Sequence, residues 1–425
     1  MQNKRKKHTA LIVVVSVLAV LALAAGIFSH FGGFGTGQLA DTAEFSKYAA
    51  SIPEITVPEQ ARIVALGEAT HGNREFQQLK LDVFQVLVEN SGVRAFALEG
   101  DFGGCEAVNR YIHGGDGTAA EAAAAIGFAI YRTQEMENLI AWMREYNASA
   151  APGEDIRFYG FDMQRIGYNY QYLLAAARAD GLDTAGLEEI WNAGENTYDD
   201  ACSSDRRREV LTDVKNALPA DDAQAIHLAD ILLQNMELSE ALNDAGAYPA
   251  LRDRLMAENA LWILEQEQAR GNRCIFVSGH NGHIEQFGTY GPEDKVMGNL
   301  LADELGDGYF AIGTDFYKTT CNLPKGSDGK RLTHTFYSHD PLAKASEKCG
   351  FDLAYLDFSA VPETSALYGQ LREYTWMGSL GESYSPIIMS LLPMSYRVWR
   401  SPQTVYDAMI FVANAHPTEI RALPE

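Results

Sequence analysis

Two short glycine-flanked segments hold the residue types that acid–base chemistry needs. Gly67-Glu68-Ala69-Thr70-His71-Gly72 sets a carboxylate three residues before an imidazole, and Gly279-His280-Asn281-Gly282-His283 sets two imidazoles at the same spacing. Residues three apart share one face of a helical turn. The glycines permit tight turns that would point these side chains inward. A carboxylate beside an imidazole fixes its tautomer and raises its basicity, so the imidazole can take a proton from water near neutral pH. A second imidazole pair that donates N–H would hold an oxyanion. Glu99 joins the set because glutamate is a poor N-cap and here follows the apolar Ala95-Phe96-Ala97-Leu98. Glu68, His71, Glu99, His280 and His283 are therefore the candidate catalytic residues. The same set suits Zn²⁺ or Mn²⁺ equally well, and spacing alone does not choose.

The elements that must position them read as βα units. Apolar runs of strand length occur at 62–66, 94–98, 156–160, 274–278 and 309–313, each followed by residues of helical period. This alternation predicts an α/β fold with a mainly parallel central sheet flanked by helices. Ligands of such sheets bind beyond the carboxyl ends of the strands. Those ends carry Glu68 and His71, Glu99, Asp162, His280 and His283, and Asp315. Asp162 and Asp315 read as readily as helix N-caps. Between the third and fourth runs, about 165–270, apolar residues keep helical spacing and predict a helical insertion subdomain. Further strands are expected at 332–337, 353–358 and 408–413, as antiparallel edges.

Lys4, Arg5, Lys6 and Lys7 precede an apolar run from Ala10 to Phe28 interrupted only by Ser16. That pattern predicts a basic cytoplasmic N-terminus (1–9), a membrane anchor or signal segment (10–28), a flexible linker (29–40) and an exported body (41–425). Ala22-Leu23-Ala24 offers a cleavage site for the signal-peptide reading. Four of the 34 basic residues and none of the 57 acidic ones lie in this segment, so the body after residue 28 carries 30 basic and 57 acidic side chains, a formal charge of −27. Such a field repels nucleic acid. Five scattered cysteines make no disulfide framework, although export would permit a Cys321–Cys349 bridge. No GxSxG elbow, HExxH element, phosphate-binding loop or GxGxxG turn is present. His113, His227, His334, His339 and His416 are read as structural.

Gly67 to Gly72 with Glu75-Phe76 and Lys80, the run Ala95 to Glu99, Val108 to Ile112, Tyr159 to Met163, Arg252-Asp253 with Met256-Ala257, and Gly279 to His283 together resemble the erythromycin esterase family over about 41–415. The resemblance implies an α/β core with a helical subdomain and hydrolysis of an ester or lactone, the best known being that of macrolide antibiotics. It casts His71 as the general base activating water, with Glu68, Glu99, His280 and His283 around it and no cofactor required. It also implies a basic residue on the helix after the first motif. Lys80 fits that position and Arg74 competes, but Lys lacks the planar fork of Arg. Arg74, Lys80, Asn281 and Asp162 are the candidate substrate-binding residues. Two alternatives use the same Glu/His cluster: a hydrolase dependent on a divalent metal, and a non-catalytic exported protein that binds a metal or haem.

Overall fold

Strands with both faces covered read as unbroken apolar runs rather than alternating ones. β1 (Ile63–Glu68), β2 (Ala95–Asp101) and β3 (Arg157–Asp162) are of this kind, as is β6 (Ile275–His280), which follows the two-residue strands β4 (Trp191–Asn192) and β5 (Thr197–Tyr198). In the computed structural model, residues 2–30, 40–242, 244, 246–291, 294–325, 329–338, 340–381, 383–385, 389 and 392–424 are described. They form a mixed, mostly parallel sheet flanked by helices, and the chain divides into two compact units.

The major unit comprises 55–67, 77–312 and 419–425. Its strand order is β3-β2-β6-β1, continued by the first residues of β7 (Tyr309–Pro324). β2 pairs in parallel with β3 and β6, and β1 with β7. Helix α3 (Arg74–Ser91), which follows α1 (Gln2–His30) and α2 (Thr42–Tyr48), seats Phe84 on the sheet. Its ring lies 5.2 Å from Phe96 on β2 and 5.6 Å from Phe276 on β6. Helices α4 (Phe102–Ile112), α5 (Ala119–Ala125) and α6 (Gln134–Ser149) precede β3. The stretch between β3 and β6 holds α7 (Gly167–Ala179), α8 (Ala185–Glu189), α9 (Ser204–Ala217), α10 (Ala223–Glu240) and α11 (Ala247–Ala269), with the β4–β5 hairpin between α8 and α9.

The minor unit comprises 1–54, 68–76 and 313–418. Here the rest of β7 pairs antiparallel with β8 (Arg331–Tyr337), while β9 (Leu353–Asp357) pairs antiparallel with β12 (Ala408–Ala415). A separate hairpin joins β10 (Thr375–Gly378) to β11 (Arg397–Arg400). After α12 (Asn281–Ile284) and α13 (Met297–Leu305) of the major unit, α14 (Pro341–Lys348) belongs here and is capped by Asp340.

Three expectations change. Helix α1 runs through the apolar segment, but among the described residues no helix is long and apolar enough to cross a membrane, so the transmembrane anchor is not supported. Its described side chains, Leu11 to Ile27, are exposed except at Gly26 and span 17 residues. The side chains of Ala10 and Phe28, most of the linker (31–39) and His339 lie outside the described residues. Second, Cys321 and Cys349 are free. Cys321 is held in the β7–β8 ladder opposite His334, and the Cys349 thiol reaches the Thr42 carbonyl at 3.2 Å. Third, Gly67, Gly72, Gly279 and Gly282 are not among the positive-φ glycines. Three of them provide room instead of turns: a Cβ on Gly67 would fall 2.1 Å from Asn281 Oδ1, one on Gly72 3.0 Å from the Asn322 backbone, and one on Gly279 3.1 Å from Glu99 Oε2.

Two carboxyls of the minor unit, Asp315 and Asp340, are fully buried. Burial raises Asp340 to about 7, and burial together with the Asp340 charge raises Asp315 well above the carboxylate range. Folded-state values above the unfolded ones mean that the folded protein binds these protons more tightly. Their contribution is thus fully present below the unfolded value of 3.8 and is lost as the pH climbs through about 7. Asp340→Asn keeps a good N-cap on α14 and is expected to flatten that decline, by about 1.4 kcal/mol per pH unit for each proton removed. Melting curves recorded across this range test it; a slope equal to the parent's refutes the assignment.

Candidate active site

In the minor unit, Glu68 is the last residue of β1 and His71 lies in the loop that follows. Both are buried, and Glu68 Oε1 stands 2.6 Å from His71 Nδ1. The spacing of three brings them together in a turn rather than a helix. Backbone bonds pin this turn: Leu380 N–H donates to the Ala69 carbonyl at 2.7 Å, and Asn322 and Thr418 N–H donate to the Gly72 carbonyl. Asn73 locks its end, donating to the Thr320 and His416 carbonyls and accepting from Thr319. With Nδ1–H donated to Glu68, the basic nitrogen of the neutral ring is Nε2.

In the major unit, Arg252 of α11 gathers the charges. Its guanidinium donates to Glu99 Oε1 at 2.9 Å and to Asp162 Oδ2 at 2.5 Å, and Nη1 lies 3.2 Å from His283 Nε2. His283 Nδ1 donates to Asp253 at 2.5 Å, and its Nε2 is also 3.4 Å from Glu99. Burial pulls the His283 pKa down, but Glu99 and then Asp253 outweigh it and hold it above the ordinary histidine value. Glu99 also accepts the His280 backbone N–H at 2.8 Å, an approach that Gly279 makes room for. His280 caps α12, its Nδ1 accepting from Gly282 N–H.

The other candidates fall as follows. Asp162 is not the N-cap expected from the sequence, since Ile166 holds that place on α7; it closes an Asx turn by accepting from Gln164 N–H and pairs with Arg252. Asn281 opens α12 and is buried beside Gly67. Lys80 is buried on α3, donating to Gln77 at 3.2 Å, whereas Arg74 pairs with Glu75 and is about half exposed. Asp315 lies inside β7, so it neither ends a strand nor caps a helix as expected; it accepts from Phe316 and Gly378 N–H and from Ser338. Arg252 and Asp253 carried no role in the sequence reading beyond the resemblance. The signal was present: an Arg-Asp pair in a helix whose neighbours Leu255, Met256 and Ala257 are core residues. Among the described residues, no group of three or more His, Cys, Asp or Glu is arranged to hold a metal ion.

A mostly parallel α/β sheet, a buried Glu–His dyad and a partly buried arginine joining carboxylates to a second histidine define an α/β protein equipped for acid–base chemistry. Residues 88–415 match the erythromycin esterase family, and the chain belongs to that family of hydrolases. It is 26% identical over 356 residues to an erythromycin esterase type II of Escherichia coli, covering 71% of this chain and 82% of that one. A solved structure described as a succinoglycan biosynthesis protein has a similar fold, with TM-score 0.73 and 19% identity over 89% of this chain and 98% of its own. An erythromycin esterase mutant in its open conformation gives TM-score 0.55 and 16% identity, covering 86% and 93%.

Proposed function

We propose that the protein hydrolyses a carboxylic ester or lactone, with His71 as the general base. The observation that carries this reading is the buried 2.6 Å contact between Glu68 and His71 Nδ1. Nε2 takes a proton from water as the water oxygen bonds to the ester carbonyl carbon, and Glu68 stabilises the imidazolium that forms. The imidazolium then returns the proton to the departing alkoxide, so the protein ends the cycle unchanged. Glu99, His280 and His283 are expected to be required as well. Arg252, held cationic by Asp162 and Glu99, and His283 carry N–H groups of the type that stabilises an oxyanion. The basic and then apolar N-terminus is read as an export signal, which N-terminal sequencing and cell fractionation of the expressed protein test.

The decisive experiment is a hydrolysis screen of the full chain on macrolides and simple esters, with and without a chelator. Turnover that survives chelation is the expected result. Turnover abolished by chelation and restored by Zn²⁺ or Mn²⁺ transfers the reading to metal-dependent hydrolysis. No turnover of any ester, with a stoichiometric bound metal or haem, replaces it with a binding protein.

A further inference from the structure

A polar cavity of about 470 Å³ opens in the major unit, a volume within the usual range for small-ligand sites. Its walls include Asp101 at the end of β2, Gln164 and Arg165 after β3, Tyr168 at the start of α7, and Asn196 and Thr197 at the β4–β5 turn. It neighbours the charged cluster through one carboxylate: Asp101 pairs in register with Asp162, the partner of Arg252.

These walls are preorganised. Asp101 accepts from Gly104 N–H at 2.7 Å and from Asn169 Nδ2 at 3.0 Å, and Asn169 Oδ1 is buried with no partner among the described residues. Burial, aided by the Asp162 charge, pushes the Asp101 carboxyl up to about 8. Near neutral pH it therefore mostly keeps its proton and offers both a donor and an acceptor. The Arg165 guanidinium rests over the Phe128 ring at 5.3 Å. Asn196 holds φ 56°, and its amide sits where a Cβ on Gly167 would come within 2.3 Å of Nδ2. Tyr168 stacks against Tyr172 and remains 38% exposed.

We propose that this cavity holds a neutral, hydroxyl-rich group, a sugar or similar polyol, and that the ester hydrolysed carries one. This rests on the hydrolytic reading above. Hydroxyls both donate and accept, which matches the mixture of Arg165, Gln164, Asn196, Thr197 and a protonated Asp101. The C–H face of a sugar ring suits an exposed tyrosine ring. A cationic group would meet Arg165, and an anionic one would meet the field of nearby Asp162, which already raises the Asp101 carboxyl.

Saturation-transfer NMR of the full chain with methyl glucoside reads binding without any turnover. Asn196→Gly removes the amide and tolerates the left-handed backbone, and Tyr168→Ala removes the ring. Both variants are expected to weaken the NMR signal and to lower kcat/KM for an acetylated methyl glucoside about tenfold, with para-nitrophenyl acetate unaffected. Absence of glucoside binding, binding equal in parent and variants, or equal loss on both esters overturns the proposal. If no ester is turned over, the hydrolytic reading fails, and the NMR arm still decides the cavity.

Discussion

Replacing His71 by alanine is expected to lower ester turnover on the order of a thousandfold, the scale of a positioned general base. The substitution also removes the imidazole from the buried Glu68 carboxylate, so about 1–3 kcal/mol of stability goes with it. Assay well below the melting transition, with circular dichroism to confirm the fold, separates lost chemistry from lost structure. Glu68→Gln is the companion variant. It removes the charge that orients Nδ1–H and stabilises the imidazolium, and it should lower kcat while leaving the fold intact. A His71 variant as active as the parent sinks the assignment.

The second large effect is on stability. Arg252→Leu strips the counter-charge from Asp162, which is fully buried, and from Glu99, which is nearly so. Removing one partner of a buried ion pair typically costs about 3–5 kcal/mol, because the remaining charge stays out of water. The urea midpoint should fall accordingly. Arg252→Lys should recover only part of the loss, since an ammonium cannot donate in a fork to two carboxylates and approach His283 as well. An unchanged midpoint in Arg252→Leu would falsify the view that this guanidinium holds the network together.

The strands were legible because each is a local signal. Ile63 to Leu66, Phe96 to Leu98 and Phe276 to Val277 are apolar without interruption, and an element covered on both faces needs that pattern whatever its neighbours are. The helical stretch between β3 and β6 was legible from its period. The β4–β5 hairpin was not, because two residues carry no periodicity. Glu68 and His71 stood out because three residues of chain cannot separate them far. The motif glycines were also visible, but their purpose was not: it depends on Asn281, Asn322 and Glu99, which approach from elsewhere in the chain.

The longer strands of the main sheet in their chain order, the Glu68–His71 pairing and the acidic character of the body follow from local pattern and composition, whereas the short β4–β5 and β10–β11 hairpins do not. Only the tertiary structure decided that Arg252 meets Glu99 across 153 residues, that Asp253 orients His283, and that Cys321 and Cys349 stay apart. The reason is physical. Local periodicity is written in neighbouring residues, whereas a long-range polar contact is set by how the helices pack on the sheet, which no short window of sequence records.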